Sequence, residues 1–273
     1  MSQQLTFGIV GGSGMLGRAI ARGLLDGRAV APENLWISNR SGRLSGFDDH
    51  PGVTVTDDNQ ALAEACEAIL LCVPPAAAGD IGLKAPGRLV LSVMAGVSLE
   101  RLRALTGADR VVRAMSSPAA ADRLAYSPWV ASRDVTAADR RTLDRIFGAL
   151  GRADEVLDET QIEVFTAITG PVPGFVAFFA DCMARYATER GVADDVADRA
   201  VRQLFLAAGR MMAEGAAAPR DHVREMIDYD GTTAGGLLAM QSSPIAEAVA
   251  GALDAAVART RTIGQDHASK EGA

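Results

Sequence analysis

A short apolar run at residues 5–10 breaks directly into Gly11-Gly12-Ser13-Gly14-Met15-Leu16-Gly17, and residues 15–25 then carry apolar side chains at helical spacing. Strand, tight turn and helix in that order leave few folds open. The glycines at 11, 12, 14 and 17 fit both GxGxxG and GxxGxxG. Such a turn lets backbone N–H groups approach a pyrophosphate that a Cβ would hold off, and the helix start adds partial positive charge. Glycine spacing alone is weak. Placed after a first strand and at the opening of a helix, it predicts a dinucleotide-binding βαβ unit, with Gly11, Gly12, Ser13, Gly14, Met15 and Leu16 as its contacts.

Apolar runs at residues 35–37, 53–56, 68–73, 89–93 and 111–114 follow, with helical stretches at 59–67 and 99–105. Ile69-Leu70-Leu71-Cys72-Val73 has no polar alternation, as expected of a parallel strand covered on both faces. The pattern predicts an α/β fold with a doubly wound, Rossmann-type sheet. Residues 137–150 read as an amphipathic helix, and beyond Asp158 the strand signal stops. Helices are expected at 161–169, 175–190, 196–214, 222–227, 233–240 and 245–259, with a polar, frayed tail after Gly264. With 273 residues, more than one core usually serves, the chain divides into residues 1–158 and an all-helical domain of residues 159–273.

The end of the second strand selects the dinucleotide. An NAD site places Asp or Glu there for the ribose hydroxyls, whereas this chain has Ser38-Asn39-Arg40-Ser41 with Arg43 close behind. Arg40 and Arg43 suit a 2′-phosphate, and Ser38, Asn39 and Ser41 can donate to its oxygens, so NADP is expected. Ligands sit beyond the carboxyl ends of parallel strands, which places Val73 and Pro74 on one side of the nicotinamide and Met94, Ala95 and Gly96 on the other.

Charge and composition narrow the partners. A net charge of −7 argues against a general binder of nucleic acid or of an anionic membrane. No apolar run is long enough to span a bilayer, and no basic leader precedes the first strand. Cys66, Cys72 and Cys182 contain no CxxC pair and are expected to be small buried residues of a protein in the reducing cytoplasm. With three histidines, none at ligand spacing, no metal is expected, and His222 reads as a helix-start residue.

The motifs, taken in order, resemble the pyrroline-5-carboxylate reductase family over essentially the whole chain. The likeness rests on the glycine turn ending in Gly14-Met15, the Ser38-Asn39-Arg40 loop, Val93-Met94-Ala95-Gly96-Val97-Ser98-Leu99, Arg113-Ala114-Met115, Thr166-Ala167-Ile168-Thr169-Gly170, and Gly231-Thr232-Thr233 with Gly236-Leu237. It implies NAD(P)H as reductant, hydride delivery to the C=N carbon of a five-membered cyclic imine, and a helical C-terminal domain that dimerises. Dimers or larger dimer-based assemblies are the implied state.

Three segments depart from the family pattern. Its Pro-Asn-Thr-Pro is replaced by Ser116-Ser117-Pro118, and its Ser-Gly-Ser-Gly-Pro-Ala-Tyr by Thr169-Gly170-Pro171-Val172-Pro173-Gly174-Phe175. Its Ser-Pro-Gly-Gly-Thr-Thr loop, which holds the substrate carboxylate, is Asp228-Tyr229-Asp230-Gly231-Thr232-Thr233. Two carboxylates about 4 Å apart repel by several kcal/mol at the effective dielectric of a protein site. Asp230 therefore either turns away, leaving Thr232 and Thr233 to bind an anion, or faces a cationic or uncharged imine. Tyr229 or Asp230 is then the candidate proton donor to nitrogen. Two other readings stay open: a dehydrogenase of a hydroxy acid, which would want a lysine that the helical half lacks apart from Lys270 in the tail, and a non-catalytic NADPH-binding dimer.

Overall fold

A computed structural model describes residues 5–269, so residues 1–4 and 270–273, Lys270 among them, lie outside the described residues. In chain order the first elements are β1 (Phe7–Val10), α1 (Met15–Asp26), β2 (Leu35–Ser38), β3 (Thr54–Thr56), α2 (Asn59–Ala65), β4 (Ala68–Leu71), β5 (Leu89–Ser92), α3 (Leu99–Thr106) and β6 (Arg110–Ala114). They are followed by β7 (Ala125–Ala131), α4 (Ala137–Leu150), β8 (Gly151–Glu155), α5 (Glu159–Ile168) and α6 (Gly174–Thr188). The chain ends with α7 (Asp194–Glu214), α8 (Pro219–Asp228), α9 (Thr232–Gln241) and α10 (Ile245–Ser269). Two compact units result, residues 1–171 with 253–273, and residues 172–252. The division read from the sequence, after residue 158, instead falls at the N-cap of α5.

The first unit is a single eight-stranded sheet in the order β3-β2-β1-β4-β5-β6-β7-β8. The six strands from β3 to β6 run parallel, and β7 turns antiparallel to β6. Strand alternation sends Ile9, Leu70, Leu91 and Val112 to one face, where they pack with Ile20 and Leu24 of α1 and Ile146 and Phe147 of α4. Val10, Ile69, Leu71, Val90 and Val111 go to the other, against Leu62 of α2 and Leu102 of α3. Strands β1, β4, β5 and β6 are thus apolar on both sides, which is why runs such as Ala68–Leu71 show no alternation. The order 3-2-1-4-5-6 puts a switch point between β1 and β4, the usual seat of a ligand in such sheets.

Strands β7 and β8 are not apparent in the sequence. β8 is the polar stretch Gly-Arg-Ala-Asp-Glu at the sheet edge, where charged side chains cost nothing and discourage further pairing. β7 contains Pro128, which lies one residue past the last β6 pair, Ala114 with Trp129, and accepts a hydrogen bond from the Met115 N–H. Beyond β8 the described residues hold helices and no strand. The helix begun at Ile245 runs on to Ser269, so the expected frayed tail after Gly264 is instead helical over those residues.

In the second unit α6 packs on α7 and α8 on α9. Little of the apolar surface is covered: α6 and α8 have no buried residue, and α7 buries only Ala197 and Val201. Phe178 is 64% exposed and Met211 67%, with Tyr186, Leu206 and Met240 also open. An apolar surface of this extent marks an interaction face.

Candidate functional site

The glycine turn is built as the sequence requires. Gly11 has φ 84°, in the left-handed region, and the N–H groups of Gly11 and Gly12 donate to the Ser38 carbonyl at 3.0 and 3.2 Å, which fastens the turn to the end of β2. A Cβ on Gly11 would lie 2.5 Å from the Cys72 carbonyl oxygen, and one on Gly17 2.7 Å from the Gly11 oxygen. Gly14 has another part: it is the exposed N-cap of α1, with room for a side chain. No side chain caps α1 and no acid sits in its first turn, so the N–H groups of Met15 and Leu16 are open to an anion. The cradle fits a pyrophosphate.

The loop after β2 differs in detail from expectation. Ser38 is fully buried and its Oγ donates to Asn59 Oδ1 at 2.6 Å, so it braces the strand end and offers nothing to a ligand. Asn39 Oδ1 accepts from the N–H and Oγ of Ser41 at 3.0 and 2.8 Å, while its Nδ2 donates to the Arg43 carbonyl at 3.0 Å. These side chains fold the turn, because a short polar loop must satisfy its own backbone first. The guanidinium groups of Arg40 and Arg43 are exposed and have no ion pair among the described residues. A dianion has its donors there.

At the β4 and β5 ends the expected contacts divide similarly. Val73 is half-buried and Pro74 exposed, next to a single 3-10 turn over Pro75–Ala77. Met94 is 2% exposed, its side chain part of the core with Val10, Leu71 and Val97, so it is no ligand contact through its thioether. Ala95 and Gly96, the latter with φ 75°, remain open at the turn. Burial pushes the neighbouring Cys72 thiol up to about 12, which keeps it a neutral thiol.

Two arginines outside the expected set hold this end of the sheet together. Arg113 on β6 is 4% exposed; its Nη1 lies 3.0 Å from Glu159 Oε1, and that oxygen also accepts the Leu99 N–H at 2.8 Å. The pair ties the start of α3 to β6 and α5, while Arg113 Nε is buried with no partner. Arg18 on α1 donates from Nε to the Ser13 carbonyl at 2.9 Å and from Nη1 to the Ser45 carbonyl at 2.6 Å. The sequence signal was present, since Arg18 and Arg22 stand one helical turn apart, on the side of α1 that faces the β2 loop. Ser116 and Ser117 face inward, Ser116 Oγ accepting from Ser127 Oγ at 3.0 Å, so neither hydroxyl is presented to a ligand.

The remaining residues lie in the second unit, at the α8–α9 corner. Asp230 has φ 54°, a left-handed conformation for which glycine is preferred, and its N–H donates to the Ile227 carbonyl to close α8. Gly231 is the N-cap of α9, without a side-chain cap or an acid in the first helical turn, and Thr232 and Thr233 are the first two helical residues, both exposed. Tyr229 is 82% exposed and Asp230 is open, with no side-chain partner among the described residues. The corner thus gathers two hydroxyls, free N–H groups, a phenol and a carboxylate. At the other end of α8 the cap is Asp221, whose Oδ2 accepts the Ala218 N–H at 3.1 Å, and His222 has no part in it.

Comparison with known proteins puts the two halves in one context. The family model for pyrroline-5-carboxylate reductase dimerisation matches residues 159–263, and that for coenzyme F420-dependent NADP oxidoreductases matches residues 6–96. A pyrroline-5-carboxylate reductase of Synechocystis sp. is 27% identical over 97% of this chain and 100% of its own length. Pyrroline-5-carboxylate reductase 2 of Bacillus subtilis is 26% identical over 94% of this chain and 95% of its own. The solved structure of a pyrroline-5-carboxylate reductase from Coxiella burnetii superposes with TM-score 0.85 at 25% identity, covering 96% of this chain and 99% of that one. With the dimerisation helices matched and the relatives aligned nearly end to end, the chain is similar to pyrroline-5-carboxylate reductases over almost its whole length.

Proposed function

We propose that the protein is an NADPH-dependent oxidoreductase acting on a C=N bond, reducing 1-pyrroline-5-carboxylate or a related cyclic imine. The observation that carries this reading is the glycine cradle at the open start of α1, beside two unpaired arginines, in a chain aligned end to end with pyrroline-5-carboxylate reductases. When bound, NADPH supplies a hydride to the imine carbon. Gly11, Gly12, Ser13, Gly14, Met15 and Leu16 hold the pyrophosphate through backbone donors; Arg40 and Arg43 hold the 2′-phosphate; Val73, Pro74, Ala95 and Gly96 flank the nicotinamide.

The substrate face is assigned to the α8–α9 corner. Thr232 and Thr233 bind a polar or anionic group through hydroxyls and the free N–H groups of α9. Asp230 beside them favours a cationic or uncharged imine over a carboxylate-bearing one, because two carboxylates there repel by several kcal/mol. Asp230 also stabilises a protonated imine, the more reducible form, and it or Tyr229 hands the proton to nitrogen. Residues 159–273 form the dimerisation half, and a homodimer or a dimer-based assembly covers the apolar faces of α6 and α7. Three free cysteines accord with a cytoplasmic setting, and no described helix is long and apolar enough to cross a membrane.

The test is NADPH oxidation with a panel of cyclic imines: pyrroline-5-carboxylate, pyrroline-2-carboxylate, piperideine carboxylates and imines without a carboxylate. Turnover of at least one supports the reading. Tight NADPH binding with no turnover of any overturns it in favour of a non-catalytic binding protein.

A further inference from the structure

We propose that Arg18 is a positioning residue that makes this chain select a 2′-phosphorylated dinucleotide; the inference rests on the NADP reading above. Its planar guanidinium spans two segments, with Nε on the Ser13 carbonyl of the glycine turn at 2.9 Å and Nη1 on the Ser45 carbonyl of the loop after β2 at 2.6 Å. In a βαβ unit of this kind the adenosine ribose lies between the glycine turn and the end of the second strand. One rigid fork therefore sets the width of the gap that the 2′-phosphoribose has to fill.

Arg22, one helical turn on, completes the fastening. Its Nη1 lies 2.6 Å from Asp49 Oδ2, its Nη2 donates to the Gly46 carbonyl, and its guanidinium stands over the Phe47 ring at 5.2 Å. The loop that carries Arg40 and Arg43 is thus docked on α1 before any ligand arrives, which removes an ordering cost from binding. The charges follow the same division. Asp49 is taken up by Arg22 and Asp58 by the N–H groups of α2, while Arg18, Arg40 and Arg43 have no carboxylate partner among the described residues. Three arginines at this corner are therefore left without a carboxylate of their own, open to a phosphate. A 2′-phosphate is the group that both the gap and the charge fit; a bare 2′-hydroxyl uses neither.

The test is isothermal titration of NADP+, NAD+ and 2′,5′-ADP into the full-length protein and into Arg18→Ala and Arg18→Lys. Loss of the fork weakens NADP+ and 2′,5′-ADP by roughly tenfold and NAD+ by less than about twofold, on the scale of one charge-assisted contact. Arg18→Lys keeps the charge and one of the two bonds, so it loses only about threefold on NADP+; it carries the test if the alanine variant does not fold. Parallel weakening of NADP+ and NAD+, or no change in NADP+, overturns the proposal while leaving the NADP reading intact. A wild-type protein that binds NAD+ as tightly as NADP+ overturns both.

Discussion

Removing the carboxylate of Glu159 should cost far more than removing the arginine it faces. Arg113 is 4% exposed while Glu159 is 30% exposed, and a single oxygen of Glu159 serves both Arg113 Nη1 and the Leu99 N–H. Glu159→Ala leaves a cation inside the protein with its Nε already lacking a partner, a change that costs about 3–5 kcal/mol when one member of a buried pair is lost. Part exposure of Glu159 puts the expected value near 3 kcal/mol, the freed Leu99 N–H adding about 1 kcal/mol. Arg113→Met fills a similar volume, removes the orphaned Nε and leaves Glu159 on the Leu99 N–H, so it should change stability by less than about 1 kcal/mol. Urea unfolding followed by circular dichroism, at one fixed protein concentration because the proposed dimer would make stability depend on it, compares the two. Equal costs for the two variants, or a cost below about 1 kcal/mol for Glu159→Ala, would refute the reasoning.

Gly11→Ala forces a Cβ to within 2.5 Å of the Cys72 carbonyl at φ 84°, so it should destabilise by about 2 kcal/mol or more and abolish NADP+ binding; titration calorimetry and urea unfolding check both. Asp230→Gly relieves a left-handed aspartate at φ 54° and removes the carboxylate from the α9 start, so stability should hold or rise by up to about 1 kcal/mol while KM for a carboxylate-bearing imine falls. An unchanged KM would count against the substrate assignment of that corner. Burial raises the Cys66 thiol from 9.0 to about 12, so below pH 9 both folded and unfolded chains keep the proton and stability is complete. Above pH 9 only the unfolded chain releases it, and stability falls by up to about 1.4 kcal/mol per pH unit. Cys66→Ala should reduce that slope between pH 9 and 10.5 in urea midpoints, leaving the matching contribution of Cys72.

Sequence patterning located the parallel sheet because β1, β4, β5 and β6 are apolar on both faces, a property written directly into runs such as Ile69 to Val73. It did not reveal β8, whose residues are those of a solvated loop, since an edge strand paired through its backbone to β7 needs no apolar run of its own. The backbone of the glycine turn was legible at Gly11, Gly12 and Gly17, each required by a close approach that a Cβ would block, but not at Gly14, which has room for a side chain. The polar loop was legible only in outline. Arg40 and Arg43 do stand free, but Ser38 and Asn39 turn their side chains to Asn59 and Ser41, the first a partner distant in sequence and the second a local turn contact that competes with ligand binding. Met94 shows the same limit: a residue at a strand end can line a cleft with its backbone while its side chain belongs to the core.

In the proposed reaction a hydride passes from a nicotinamide to a C=N carbon. NADPH stereospecifically deuterated at C4, each epimer in turn, is incubated with the best imine substrate, and the amine product is weighed by mass spectrometry. One epimer should give a product heavier by about one mass unit, with deuterium on the former imine carbon. Product without deuterium from either epimer, or no product from any imine at saturating NADPH, would contradict the account.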